Sequence, residues 1–344
     1  MKEIPTAEAV GHVLCHDVTQ IIRGEKKGPA FRKGHVICQE DIPVLLSMGK
    51  DHIYVWEKKE GILHEDEAAQ ILYDLCKNEY MEPSEVKEGK IELRATADGL
   101  LKIRTDGMMA VNLLGEMMIA SRHNNTTVKK GDVLAGTRII PLVIEEEKME
   151  KAKKAAGDAP LLKLLPFEKK KVGIVTTGNE VFYGRIKDTF TPVVKEKIEE
   201  FGSTVTMESL VGDEKEKIRD EILKMIEKGA QMVVCTGGMS VDPDDRTPGA
   251  IADTGARVVT YGAPVLPGAM MMIAYYRKED GSEVPVLGLP GCVMYAKRTI
   301  FDLVLPRILA DDPVTKEEIA AMGVGGLCLN CKTCTFPNCG FGKA

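Results

Sequence analysis

Between residues 169 and 313, unbroken apolar runs alternate with stretches that are apolar on one face only. Val172-Gly173-Ile174-Val175-Thr176 reads as a strand that ends in a Thr-Gly turn. From Pro192 to Phe201, Val194, Ile198 and Phe201 recur at helical spacing, and Gly202 stops the helix. Thr204 to Val211 reads as a second strand. Asp213 is placed to cap a helix whose stripe is Ile218, Ile222, Met225 and Ile226, ending at Gly229. Further strands are expected at Met232–Cys235, Met271–Tyr275 and Val284–Leu289, and a helix from about Val293 to Leu309 closes the unit. Strands apolar on both faces, alternating with amphipathic helices, predict an α/β fold with a doubly wound, mostly parallel sheet.

The pattern upstream is different. Residues 1–80 read as an α+β module. It has short extended pieces around Gly24, Gly28 and Gly34, helix boundary signals from Glu40 to Gly49, and a strand at His52–Trp56. A helix follows from Asp66 to Lys77, with Ile71, Leu72 and Leu75 on one face. Residues 81–147, with turns such as Asp98-Gly99 and Lys130-Gly131-Asp132, read as a β-rich module. Phe31–Ile37 is echoed by Val128–Leu134, through a duplication or a shared β-turn. Residues 148–168 continue a charged, alanine-rich stretch and read as a helical linker, and 314–344 form a cysteine-rich tail. Two or three domains suit 344 residues.

Charge and composition remove several function classes. The formal net charge is -6 and basic residues are interspersed with acidic ones, which argues against a nucleic-acid footprint. No basic start precedes a long apolar run, and no stretch reaches about 18 apolar residues, so neither a signal peptide nor a membrane helix is expected. A cytoplasmic protein is the expectation. Cys15, Cys38, Cys76, Cys235 and Cys292 are scattered and read as reduced thiols. Cys328, Cys331, Cys334 and Cys339 instead crowd the tail, with gaps of two, two and four. Four thiolates so placed suit Zn²⁺ or an iron–sulfur cluster, and the spacing does not choose between them. A flexible reduced tail is the alternative.

Ligands of open parallel sheets bind beyond the carboxyl ends of the strands. Four turns have the composition for this: Thr176–Glu180, Thr236–Ser240, Val265–Gly268 and Leu289–Cys292. Their glycines allow close backbone approach, and their hydroxyls can bond phosphate or the polar edge of a ring. After Gly238 come Asp242, Asp244 and Asp245, hard oxygen donors that suit Mg²⁺ shared with phosphate.

The run from Thr236 to Pro248, TGGMSVDPDDRTP, resembles the signature loop of the Mog/MoaB domain. That domain is shared by molybdopterin adenylyltransferases and by molybdotransferases of the MoeA and gephyrin type. Thr176–Glu180, Gly184–Asp188, Val265–Gly268 and Leu289–Cys292 resemble other segments of it, in the family's order. The resemblance implies a molybdopterin or molybdenum cofactor pocket built from Thr177, Gly178, Asn179, Glu180, Thr236, Gly237, Gly238, Ser240, Pro267, Gly268, Pro290 and Gly291. Asp188 and Asp245 take the catalytic acidic positions, and Asp242 with Asp245 would hold Mg²⁺. Asn179 stands where many relatives have aspartate, and Cys292 where many have asparagine. A counterpart of the molybdotransferase N-terminal Met-Asp-Gly-Tyr-Ala segment is not found, and too few residues follow Pro313 for a C-terminal β-barrel. The implied function is cofactor biosynthesis, through Mg²⁺-dependent nucleotidyl transfer or molybdenum-insertion type chemistry. The alternative is a non-enzymatic carrier or sensor that delivers cofactor to a molybdoenzyme. The partners implied are the pterin, ATP, a molybdoenzyme and further copies of the chain.

Overall fold

The computed structural model describes residues 2–22, 26–55 and 60–343, so the readings at Gly24 and Trp56 lie outside the described residues. The chain divides into two compact units. The first takes residues 1–96, 103–122 and 131–163, and the second takes 97–102, 123–130 and 164–344. No helix of the described residues is long and apolar enough to cross a membrane.

The first unit is β-rich. Its largest sheet runs Met81–Pro83, Lys90–Ala95, Val133–Ile139, Met117–Ser121, with every pairing antiparallel. The helix Glu65–Cys76 starts at a capping box formed by His64 and Glu67. Its buried face is Ala68, Ala69, Leu72, Tyr73 and Cys76, while Ile71 and Leu75 only flank it. Small alanines carry no apolar signal in the sequence, which is why that face was read one position round. Gly34 and Gly131, the centres of the two echoed segments, both have positive φ (84° and 89°). A shared glycine turn therefore accounts for the echo.

The second unit holds a six-stranded sheet. Its elements are β1 Lys171–Thr177, α1 Phe190–Glu199, β2 Thr204–Val211, α2 Lys215–Glu227, β3 Met232–Thr236 and α3 Thr247–Asp253. β4 Arg257–Tyr261, β5 Met272–Arg277, β6 Glu283–Leu289, α4 Ile300–Leu309 and α5 Lys316–Ala321 complete it. The order is β2-β1-β3-β6-β5-β4. The first four strands are parallel, and β5 and β4 add an antiparallel edge. Alternate residues of β1 serve opposite faces. Val172 and Ile174 join a core with Val194, Ile198, Phe301 and Leu305, and Val175 joins one with Ile218, Ile222 and Met225. Each such side chain contributes about 1.5–3 kcal/mol of burial. The doubly wound α/β reading is thus the observed architecture.

The expected helical linker 148–168 is helical only as far as Ala156, and Leu162–Pro166 is a strand that buries Leu162 and Leu164. Three boundaries within the sheet domain also differ from the sequence reading. α1 starts at Phe190 because the Asp188 carboxylate accepts the N–H groups of Phe190 and Thr191, at 2.8 and 3.0 Å. α2 starts at Lys215, since Asp213 does not cap it but accepts the Asn179 N–H at 2.9 Å. The expected helix from Val293 is a 3₁₀ turn, Gly291–Met294, and a separate helix restarts at a capping box of Thr299 and Asp302. β4 was missed because its alternation is weak and none of its residues is fully buried.

Candidate functional site

β1 and β3 are neighbours at the point where the strand order reverses, so their carboxyl ends open a crevice. β3 leaves the sheet at Thr236, whose hydroxyl is buried without a hydrogen-bond partner among the described residues. The turn that follows needs two glycines. Both have positive φ, 84° at Gly237 and 53° at Gly238. A Cβ on Gly237 would stand 2.2 Å from the Thr177 carbonyl oxygen, and one on Gly238 would stand 2.9 Å from the Thr247 hydroxyl. Thr247 donates its hydroxyl proton to the Gly237 carbonyl (2.8 Å), so Thr177, 3.0 Å away, donates to Thr247. The turn is therefore locked to the end of β1 and to the start of α3.

The acidic loop closes on itself beyond Ser240. Asp242 N–H donates to the Asp245 carboxylate, and Asp245 N–H donates to the Asp242 carbonyl, both at 2.9 Å. Tyr261, on β4, holds its hydroxyl 3.1 Å from the carbonyl oxygens of both Met239 and Ser240. Desolvation, and then the Asp245 charge, push the Tyr261 pKa up, which keeps the phenol protonated as a donor.

These segments enclose a cleft of about 520 Å³. Of the residues expected from the sequence, Gly237, Gly238, Ser240, Asp245, Pro290 and Gly291 line it. The sequence reading missed Met239, Ala269, Met270, Met294 and Tyr295. The signal for them was positional only, since Met239 lies within the turn Thr236–Ser240 and the others lie one to three residues beyond a turn named from the sequence. Cys292 also lines the cleft, and burial pushes its thiol pKa up, so it stays a neutral thiol.

The other expected residues stand behind the cleft or away from it. Thr177 and Thr236 are buried at the ends of β1 and β3, and Thr177 bonds Thr247 there. Gly178 opens the four-residue helix Asn179–Phe182, and Asn179 pairs reciprocally with Asp213 (2.9 and 3.4 Å). The Glu180 carbonyl accepts the N–H groups of Arg185 and Ile186. Pro267 and Gly268 brace α4: the Pro267 carbonyl accepts the Ile300 N–H at 3.1 Å, and a Cβ on Gly268 would meet Ile300 at 2.5 Å. Asp188 starts α1 and Asp242 contributes backbone to its loop, and neither is among the lining residues. Among the described residues, no group of three or more His, Cys, Asp or Glu is gathered to hold a metal ion. Asp245 is the lining carboxylate, a donor set that fits Mg²⁺ only in its usual manner of sharing one or two carboxylates with ligand phosphate.

Comparison with known proteins bears on the same segments. Residues 173–310 match the family described as a probable molybdopterin binding domain, and residues 3–57 match a domain of unknown function. A molybdopterin molybdenumtransferase of Synechococcus elongatus is 24% identical over 180 residues, covering 49% of this chain and 42% of that protein. A molybdenum cofactor biosynthesis bifunctional protein of the same organism is 31% identical over 83 residues, covering 24% of this chain and 26% of that protein. A CinA-like protein of Mycobacterium tuberculosis is 32% identical over 82 residues, covering 24% and 19%. The chain thus spans less than half the length of each of these relatives. Among solved structures, the tungsten cofactor synthesizing protein MoaB from Pyrococcus furiosus aligns with a TM-score of 0.34 at 20% identity, covering 40% of this chain and 89% of that one. The glycine turns, the parallel sheet and the family match coincide, and residues 173–310 are a domain of the molybdopterin-binding family.

Proposed function

We propose that this chain acts in molybdenum cofactor biosynthesis, binding molybdopterin in the cleft and transferring a nucleotidyl group from ATP to its phosphate with release of pyrophosphate. The observation that carries the reading is that Asp245 lines the cleft from the loop after a glycine turn locked to β1 and α3, inside the segment that matches the family. Gly237 and Gly238 bring backbone close to a bound phosphate, and Ser240 offers a hydroxyl. Asp245 would hold Mg²⁺, which supplies neutralisation of phosphate charge when bound. Positioning and electrostatics then do most of the work. Homo-oligomeric assembly and a cytoplasmic location belong to the same proposal, whereas hand-over to a molybdoenzyme belongs to the carrier reading below.

Asp245→Asn separates chemistry from binding. An asparagine oxygen can still accept the Asp242 N–H, so the loop and the cleft should persist. Adenylyl transfer should fall by about 100-fold or more, the scale on which one transition-state contact shows, while the molybdopterin Kd changes little. The second reading, a carrier or sensor, rests on Asp245 being the lone carboxylate among the lining residues. Wild-type chain that binds molybdopterin yet never turns over with ATP and Mg²⁺ would establish the carrier and remove the transferase.

A further inference from the structure

The cysteine tail is built into the second unit. The Gly326 carbonyl accepts the Leu266 N–H, and Cys328 N–H donates to the Leu266 carbonyl, both at 2.8 Å. Gly342 N–H donates to the Gly325 carbonyl at 2.9 Å, which ties the two ends of the cysteine run together. Beside this tie, Phe341 is buried in the core of the sheet domain. Between the tied ends the chain circles a cavity of about 280 Å³, and Cys328, Cys331, Cys334 and Cys339 all line it.

The geometry distinguishes the two metal centres that the spacing left open. A single zinc ion draws four sulfurs to within about 2.3 Å of one point. Here the four thiols line one cavity of about 280 Å³, far more room than a single ion held at that distance occupies. Thiols spread around a volume suit a cluster in which each thiolate binds a different iron. In two-cluster ferredoxins the fourth cysteine of the C-x₂-C-x₂-C-x₃-C run serves the other cluster. The longer final gap here, together with the Gly325–Gly342 bond, returns Cys339 to the cavity shared by the first three. The surroundings suit an anionic thiolate-bound centre. Arg298 lines the cavity and lies over the Phe336 ring, 4.9 Å from its centroid. Lys297 donates to the carbonyls of Cys331 and Lys332, each at 3.1 Å. Phe336 and Phe341 supply apolar wall.

We propose that this cavity binds an iron–sulfur cluster of the four-iron, four-sulfide kind, with Cys328, Cys331, Cys334 and Cys339 each giving one thiolate. The thiols lose their protons on binding, and Arg298 and Lys297 offset the resulting negative charge. The assignment is independent of the cleft reading, because the ligands and the lining residues are different.

The test uses the full-length chain purified without oxygen, incubated with ferric iron, sulfide and a dithiol reductant, and then desalted. About four iron and about four acid-labile sulfide per chain, with broad visible thiolate-to-iron absorption, are expected. The double substitution Cys331→Ser with Cys334→Ser should abolish both, and because both thiols are exposed the variant should keep the wild-type circular dichroism. Cys38→Ser, exposed but in the other unit, should retain the full complement. Zinc held tightly with no labile sulfide, or a folded chain that holds neither metal, would overturn the proposal.

Discussion

A Cβ at Gly237 would lie 2.2 Å from a backbone oxygen of β1, so glycine there reports a close approach between two strand ends. Asp188 and Asp245 carry the same functional group yet do different work. Asp188 satisfies the first N–H groups of α1, whereas Asp245 faces the cleft. Burial separates residues just as strongly. Glu65, 8% exposed, has its pKa raised from 4.5 to about 7, first by desolvation, then by the Asp66 charge, against the opposing Arg138. A carboxyl whose folded value is raised binds protons more readily in the native state than in the unfolded one. The cost of ionising it therefore grows as pH rises from about 4.5, and it is complete above about 7. Glu65→Gln removes that cost. Thermal unfolding should show Tm raised by about 2–6 °C at about pH 8, with a smaller gain at about pH 5. An equal shift at both values would dismiss the ionisation argument.

At the scale of elements, the helices owe their boundaries to side chains that take up terminal N–H groups. Asp188 moves the start of α1, and the Thr299–Asp302 box divides the expected long helix into a 3₁₀ turn and α4. α4 is buried along nearly its whole length and carries Arg307, which is 1% exposed. Arg307 Nε bonds Asp312 at 2.5 Å, and Nη2 bonds both oxygens of Glu318 at 2.9 and 3.0 Å, so α4 is joined to α5 through one guanidinium. Lys102 reaches the same Asp312 oxygen at 2.7 Å. Arg307→Ala should cost about 3 kcal/mol in urea unfolding of the full chain, because it leaves two carboxylates facing a buried gap. A loss below about 0.5 kcal/mol would mean that solvent replaces the guanidinium.

For the molecule as a whole, the tail is structural before it is anything else. Val314, Ile319 and Phe341 are buried in the same core as Val304 and Leu305. Ending the chain after Pro313 removes three side chains worth about 1.5–3 kcal/mol each and frees Leu266 from its backbone partners. Truncation there should lower Tm by about 10 °C or more, read by circular dichroism. An unchanged Tm would show that the tail only rests on the domain. For the same reason, binding experiments on the second unit need residues as far as 343 rather than a fragment ending at 313.

The sequence by itself determined the doubly wound sheet, because both-face apolar strands and amphipathic helices bury their residues in one way only. It also determined the glycine turns of the site, since at Gly237 and Gly238 positive φ coincides with an approach that leaves no room for a Cβ. Only the tertiary structure decided which turn residues face the cleft. Gly268 and Ala269 differ by one position, yet the first packs on Ile300 and the second lines the cleft, a choice set by the packing of α4. Tyr261 could not be read as part of the site, because it reaches the loop from a strand more than 20 residues further on. The four tail cysteines were legible as a group. That they enclose one cavity depends on Leu266 and Gly342, residues that the spacing of thiols does not contain.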